Sequence, residues 1–157
     1  MTFKWDCYVY LAEGLVQAPV LPGRPDLHEG AFQANYRAAL SRAYYGLFNG
    51  ACDYLRESEK DDLLMQLDAA VSEDERKKIL EQIGSMHSYV ARKLKSDVYN
   101  ANRNELRKKL RRTLLDLKER RVEADYRRQI TFAKNTAKQS VNNAVQCIHT
   151  VQALKDR

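Results

Sequence analysis

Arg121, Asp125 and Tyr126 fall together in "RRVEADYRR", residues 120–128. An arginine, an acid one helical turn further on and a phenol beside it are groups that can hold a phosphate, position a hydroxyl and offer a nucleobase a ring. Steps of three and four through Leu106, Leu110, Leu114 and Leu117 land on Arg121 and then Ala124, so helix geometry points this guanidinium inward. Burying it unpaired is costly, and it needs either a partner or a wet cleft. Two arrangements satisfy it: an intrahelical ion pair with Asp125, or a phosphate in a groove between helices or subunits.

A second polar set lies in "SRAYYGLFNG", residues 41–50, where Tyr45 and Asn49 follow Arg42 at one and two turns. If that stripe borders the same cleft, Arg42, Tyr45 and Asn49, with Arg120 beside Arg121, form a surface for a phosphate and a stacked base. The competing arrangement is an Arg42/Asp125 ion pair that staples two helices.

The charge is uneven. Residues 103–128 hold eleven Lys/Arg against five Asp/Glu, while the rest of the chain balances at sixteen of each, so the whole excess of +6 sits in one segment. Such a segment attracts RNA or another acidic partner, or forms a solvated helix face.

Other chemistries find no footing. There is no glycine-rich phosphate loop, no G-x-S-x-G and no H-E-x-x-H, and no cofactor is expected. The histidines, His28, His87 and His149, have no metal-ligand spacing. Cys7, Cys52 and Cys147 are odd in number and far apart, and they read as buried thiols of a reducing cytoplasm. Asp6 and Glu13 interrupt the apolar start, and no apolar run is long enough to cross a membrane.

The elements that must position these residues are helical. At 157 residues the chain fits one domain, and its three prolines are confined to "APVLPGRPDLHEG". A first helix is expected over residues 3–17. A second, over about 30–58, is apolar on two faces and keeps a polar stripe of Asn35, Arg42, Tyr45, Asn49, Asp53 and Arg56, which suits the middle of a bundle. A short helix at "DDLLMQLDAA" precedes a capping box at "SEDE", from which a helix is expected to run unbroken to about Leu94. After a break at "KSDVYNANRN" the basic helix begins, and a last helix is expected over about 128–155 through Ile130, Ala133, Ala137, Val141, Ala144, Ile148 and Val151.

Three blocks, "SRAYYGLFNGACDYL", "MHSYVARKL" and "LLDLKERRVEADY", together resemble small stand-alone members of the HEPN superfamily, with their S-R-A-Y-Y-x-x-F helix, H-x-x-V segment and R-x-x-A-D-Y helix end. The resemblance covers about residues 31–126. It implies an all-α bundle of four to five helices, here with a short helical insertion, forming a two-fold homodimer with a cleft at its interface. It further implies a toxin-type or defence-related protein acting on RNA or a nucleotide. In many members a metal-independent endoribonuclease motif places a histidine four to six residues after the arginine. This chain has Tyr126 at that position, a phenol whose ordinary pKa near 10 makes a weak base at neutral pH.

On this resemblance Arg121 would stabilise charge on the phosphate, Asp125 or Tyr126 would position the 2′-hydroxyl, and Arg42 would contact substrate. His87, in the second block, is either a helix histidine at a packing boundary or a substitute for the missing proton carrier. The alternative function is a catalytically inactive module partnering a nucleotidyltransferase, an antitoxin or another effector, with Tyr126 as a modification target. A third reading is a structural bundle whose basic helix docks on an acidic protein surface.

Overall fold

The computed structural model describes residues 4–17, 28–96, 98 and 100–156. Within them lie seven α-helices and no strand: α1 (Asp6–Gln17), α2 (His28–Glu57), α3 (Asp62–Ala69), α4 (Glu73–Ile83), α5 (Met86–Lys95), α6 (Ala101–Tyr126) and α7 (Lys134–Lys155). The proline-rich segment and the first residues of the expected first helix lie outside the described residues.

The architecture follows from α2. It buries Leu40, Ala43, Leu47 and Ala51 together with Tyr44, Phe48, Tyr54 and Leu55, so neighbours must cover it on several sides. Helices α1, α6 and α7 do so as a bundle, α5 lies against α6 and α2, and α3 with α4 forms the insertion on α2 and α5. The polar stripe from Asn35 to Arg56 remains half-buried or exposed throughout. Helices α1 and α2 meet closely at Gly46, where an added Cβ would stand 2.8 Å from Val9 Cγ2 and 2.9 Å from the Trp5 carbonyl oxygen.

Several expectations need correction. The helix expected to run from "SEDE" to Leu94 is two helices. Ser72 and Glu75 form the capping box that starts α4, but Gly84 takes φ 68° and Ser85 caps a new helix. A glycine adopts that φ freely, and a serine then accepts from the next free amides. Helix α6 starts within the expected break, with Asn100 as N-cap. Arg107 is buried there whereas Leu106 lies at the edge of the core.

The last helix begins at Lys134 rather than near residue 128. Ile130 and Phe132 still pack on the core, but from the connection between α6 and α7. Gln33 clamps that connection, donating to the Phe132 carbonyl at 2.9 Å and accepting from its N–H at 2.8 Å. Of the three thiols, Cys52 and Cys147 are buried but Cys7 is exposed in the first turn of α1. Among the described residues no helix is long and apolar enough to cross a membrane.

Candidate functional site

The end of α6 is held in place by a residue of α2. Arg37 donates to the carbonyls of Ala124, of Arg127 at 3.2 Å, of Arg128 at 3.3 Å and of Ile130 at 2.5 Å. The last carbonyls of a helix lack intrahelical partners and carry partial negative charge, and a guanidinium fork satisfies several at once. Phe132 lies against the same guanidinium, 5.4 Å from Cζ to ring centroid.

On this fixed helix end Arg121 is turned toward α2, with its side chain 16% exposed. Its Nε stands 2.6 Å from Asp125 Oδ2, but the N–H is not directed at that oxygen, so the contact is a charge pairing more than an aligned hydrogen bond. The other carboxylate oxygen, Oδ1, accepts from Ser41 Oγ of α2 at 2.7 Å. The guanidinium carbon lies 5.1 Å from the Tyr45 ring and 5.6 Å from the Tyr126 ring, distances at which a ring face attracts a cation. Burial works against its charge, while Tyr45 and Asp125 more than offset this and hold its pKa above the ordinary arginine value.

The cluster continues from Tyr45 toward α5. Tyr44 and Tyr45 meet edge to face at 5.4 Å, and the Tyr44 hydroxyl hydrogen-bonds Nδ1 of His87. Phe48 packs on the His87 ring at 4.7 Å. Burial pushes the Tyr44 phenol well above its ordinary value, against the opposing pull of Arg121. Burial likewise lowers the His87 pKa, helped by the positive charges of Lys118 and Arg121. At neutral pH the result is a neutral imidazole, a neutral phenol and a full cation in one strip.

Of the residues expected from sequence, Arg121, Asp125, Tyr126 and Tyr45 come together. The others do not join them. Asn49 donates to the Tyr45 carbonyl of its own helix at 2.8 Å. Arg120 pairs with Glu123 at 3.4 Å. Arg42, half-buried on the polar stripe, makes no ion pair with Asp125. Ser41, Tyr44 and Arg37 were not expected in the site. The first two lie inside "SRAYY", and only helix contacts bring them to Arg121. His87 does lie at a packing boundary, and it also borders the site.

The basic segment is less free than its count implies. Glu59, two residues beyond the end of α2, takes Arg107 at 2.7 Å and Arg103 at 3.5 Å. Lys108 pairs with Glu105 at 2.8 Å and Arg111 donates to the Ala91 carbonyl at 3.0 Å. Among the described residues Lys109, Lys118 and Arg128 make no ion pair. A shallow groove of about 250 Å³ runs along α6 past Leu115, Lys118, Glu119, Val122, Glu123 and Arg127; Arg121 does not line it. No group of three or more His, Cys, Asp or Glu among the described residues could hold a metal ion.

No family model matches the chain, and no curated protein or solved structure matches it significantly, so the site rests on its own geometry.

Proposed function

We propose that this chain is a HEPN-like RNA-acting protein of the toxin or defence class, cytoplasmic and dimeric, that holds an RNA phosphate at Arg121. The observation that carries the reading is the guanidinium pinned between Tyr45 and Tyr126 with a single carboxylate as its charge partner. A phosphate oxygen can replace Asp125 on that fork, and the Tyr126 ring, 70% exposed, offers a base a face. Lys118, whose charge reaches His87 beside the site, adds unpaired charge nearby. A two-fold pairing of α6 is supported by the groove along that helix, where two cations, Lys118 and Arg127, flank two carboxylates, Glu119 and Glu123, around Leu115 and Val122.

The test is fluorescence anisotropy with labelled single-stranded RNA over a salt series. Binding that weakens steeply with salt and is lost in Arg121→Ala is the expected outcome, because each neutralised phosphate releases counterions. Salt-insensitive binding, or equal binding by the variant, would overturn it. Light scattering tests the dimer.

A second reading, a module whose Tyr126 is modified by a partner nucleotidyltransferase, is favoured by the exposure of that phenol. Mass spectrometry of protein co-expressed with such a partner would find a nucleotidyl adduct on Tyr126; an adduct elsewhere or none would reject it.

A further inference from the structure

We propose that the cavity between the start of α1, the C-terminal part of α2 and the end of α7 binds a small organic monocation. The ligand carries an ammonium or guanidinium on an apolar body, its head toward Asp53 and its body against Trp5, Ile148 and Val151. The cavity measures about 360 Å³, within the range of about 300–1,000 Å³ that small-molecule sites occupy. On α2 it is bordered by Gly50, Asp53 and Glu57, a different face of the helix from Ser41 and Tyr45. Arg121 does not line it, so this site is independent of the RNA reading.

The walls dictate the body of the ligand. Ile148 and Val151 of α7 supply aliphatic surface, and Gly50 opposite them is a floor without a side chain. A Cβ there would stand 3.3 Å from Ile148 Cδ1 and 3.8 Å from Val151 Cγ1, so a larger residue would take up the space between the two helices. Trp5 stands just before α1, and an indole attracts a cation more strongly than the other side-chain rings. No group of three or more His, Cys, Asp or Glu among the described residues could hold a metal ion, which with these walls selects an organic cation.

The charge dictates its head. Three carboxylates, Asp6, Asp53 and Glu57, face two ammonium groups, Lys4 and Lys155, around the cavity. Lys155 is taken by Glu57 at 2.9 Å. Asp53 Oδ1 accepts from Arg56 Nη1 at 2.7 Å, but that guanidinium is shared, its Nε lying 2.6 Å from Asp68 Oδ2. Asp53 Oδ2 has no donor among the described residues and is not one of the buried unpaired atoms, so it meets solvent at the cavity. Burial holds this carboxyl above the ordinary aspartate range, and Lys155 and Arg56 do not offset it. A partly desolvated carboxylate short of positive charge is stabilised by an added cation.

Trp5 is the single tryptophan of the chain, so its emission reports on the cavity directly. Phenethylammonium is the probe, titrated into the full chain, with 2-phenylethanol as the same body without the charge. The ammonium should give a saturable change with Kd below about 1 mM, and the alcohol should bind at least about ten-fold more weakly. Asp53→Asn should weaken ammonium binding at least about ten-fold. Lys155→Gln should instead tighten it about two- to five-fold, because it leaves Glu57 and Asp53 without their internal cation.

No saturable change up to about 20 mM ammonium, equal binding of the alcohol, or unchanged or weaker binding by Lys155→Gln overturns the proposal. Methyl NMR gives a second check: the signals of Ile148 and Val151 should shift with the same Kd. A tryptophan response without them puts the ligand elsewhere and also overturns the site. Should Asp53→Asn fail to fold, Lys155→Gln decides, since Lys155 lies in the last turn of α7 and is only half-buried.

Discussion

The guanidinium of Arg121 lies 5.1 Å from the ring of Tyr45, so a charge near the end of α6 is anchored to the middle of α2. Asp125 is its ionic partner and also a competitor for any phosphate that would take its place. The pair is partly exposed, with side chains 16% and 29% accessible, and such pairs contribute about 0.5–1 kcal/mol. Asp125→Asn should therefore tighten RNA binding about two- to five-fold at low salt. The gain should vanish in an Arg121→Ala background. Weaker binding by Asp125→Asn in an anisotropy titration would show that the carboxylate helps the ligand rather than opposing it.

Arg37 gives a second expectation. Its fork reaches four carbonyls at and beyond the end of α6, the turn that carries Asp125 and Tyr126. Arg37→Ala should destabilise the fold by about 2 kcal/mol, in the range for hydrogen bonds to a charged group. Amides from Ala124 to Ile130 should exchange faster than those of the α2 core. Arg37→Lys should recover little, since a single ammonium cannot span these oxygens. Full recovery by lysine, read from hydrogen exchange, would refute the capping role.

His87 links stability to pH. Its pKa in the fold lies below the unfolded value of 6.5, through burial first and the charges of Lys118 and Arg121 after it. Below 6.5 the unfolded chain binds this proton more readily than the folded one, so stability falls as pH drops through that value. Above it the group contributes nothing to the pH dependence. Thermal melts on either side should show a larger acid loss of Tm in the parent than in His87→Gln. Identical losses would mean that His87 titrates freely in the fold.

The central helix was legible because its signals are local. Two apolar faces and one polar stripe of α2 follow from the spacing of Leu40, Leu47, Tyr44 and Tyr54, and Ser72 with Glu75 marks the start of α4. The break between α4 and α5 was not, because Ile83, Met86, Val90 and Leu94 keep helical spacing across Gly84 and Ser85. Only the positive φ of Gly84 reveals the turn. Ile130 misled in the opposite sense, since an apolar residue packed from a connection has the same composition as one packed from a helix.

The site divides along the same line. Arg121 with Asp125 is an i, i+4 pair that helix geometry reveals. The Tyr44–His87 and Ser41–Asp125 contacts join residues 43 and 84 positions apart, and no periodicity within one helix contains them. The charge count over residues 103–128 overstates the free charge for a related reason: Glu59, which pairs with Arg103 and Arg107, lies outside the segment counted.

That neutralisation yields the sharpest test of the fold. Arg107 is 3% exposed, paired with Glu59 at 2.7 Å and donating to Tyr54 Oη at 3.1 Å and to the carbonyls of Lys93 and Ser96 at 2.5 and 3.1 Å. Removing it leaves the Tyr54 hydroxyl and the last carbonyls of α5 short of a buried donor. Losing one member of a buried pair costs about 3–5 kcal/mol, which for a chain of this size lowers Tm by on the order of 10 °C. Arg103 approaches the same carboxylate at 3.5 Å with its side chain 19% exposed, and Arg103→Ala should cost less than about 1 kcal/mol. Urea unfolding of the two alanine variants should separate them clearly. Equal midpoints would mean that Arg107 is spared by water or rearrangement, and that the junction of α2, α5 and α6 does not depend on this guanidinium.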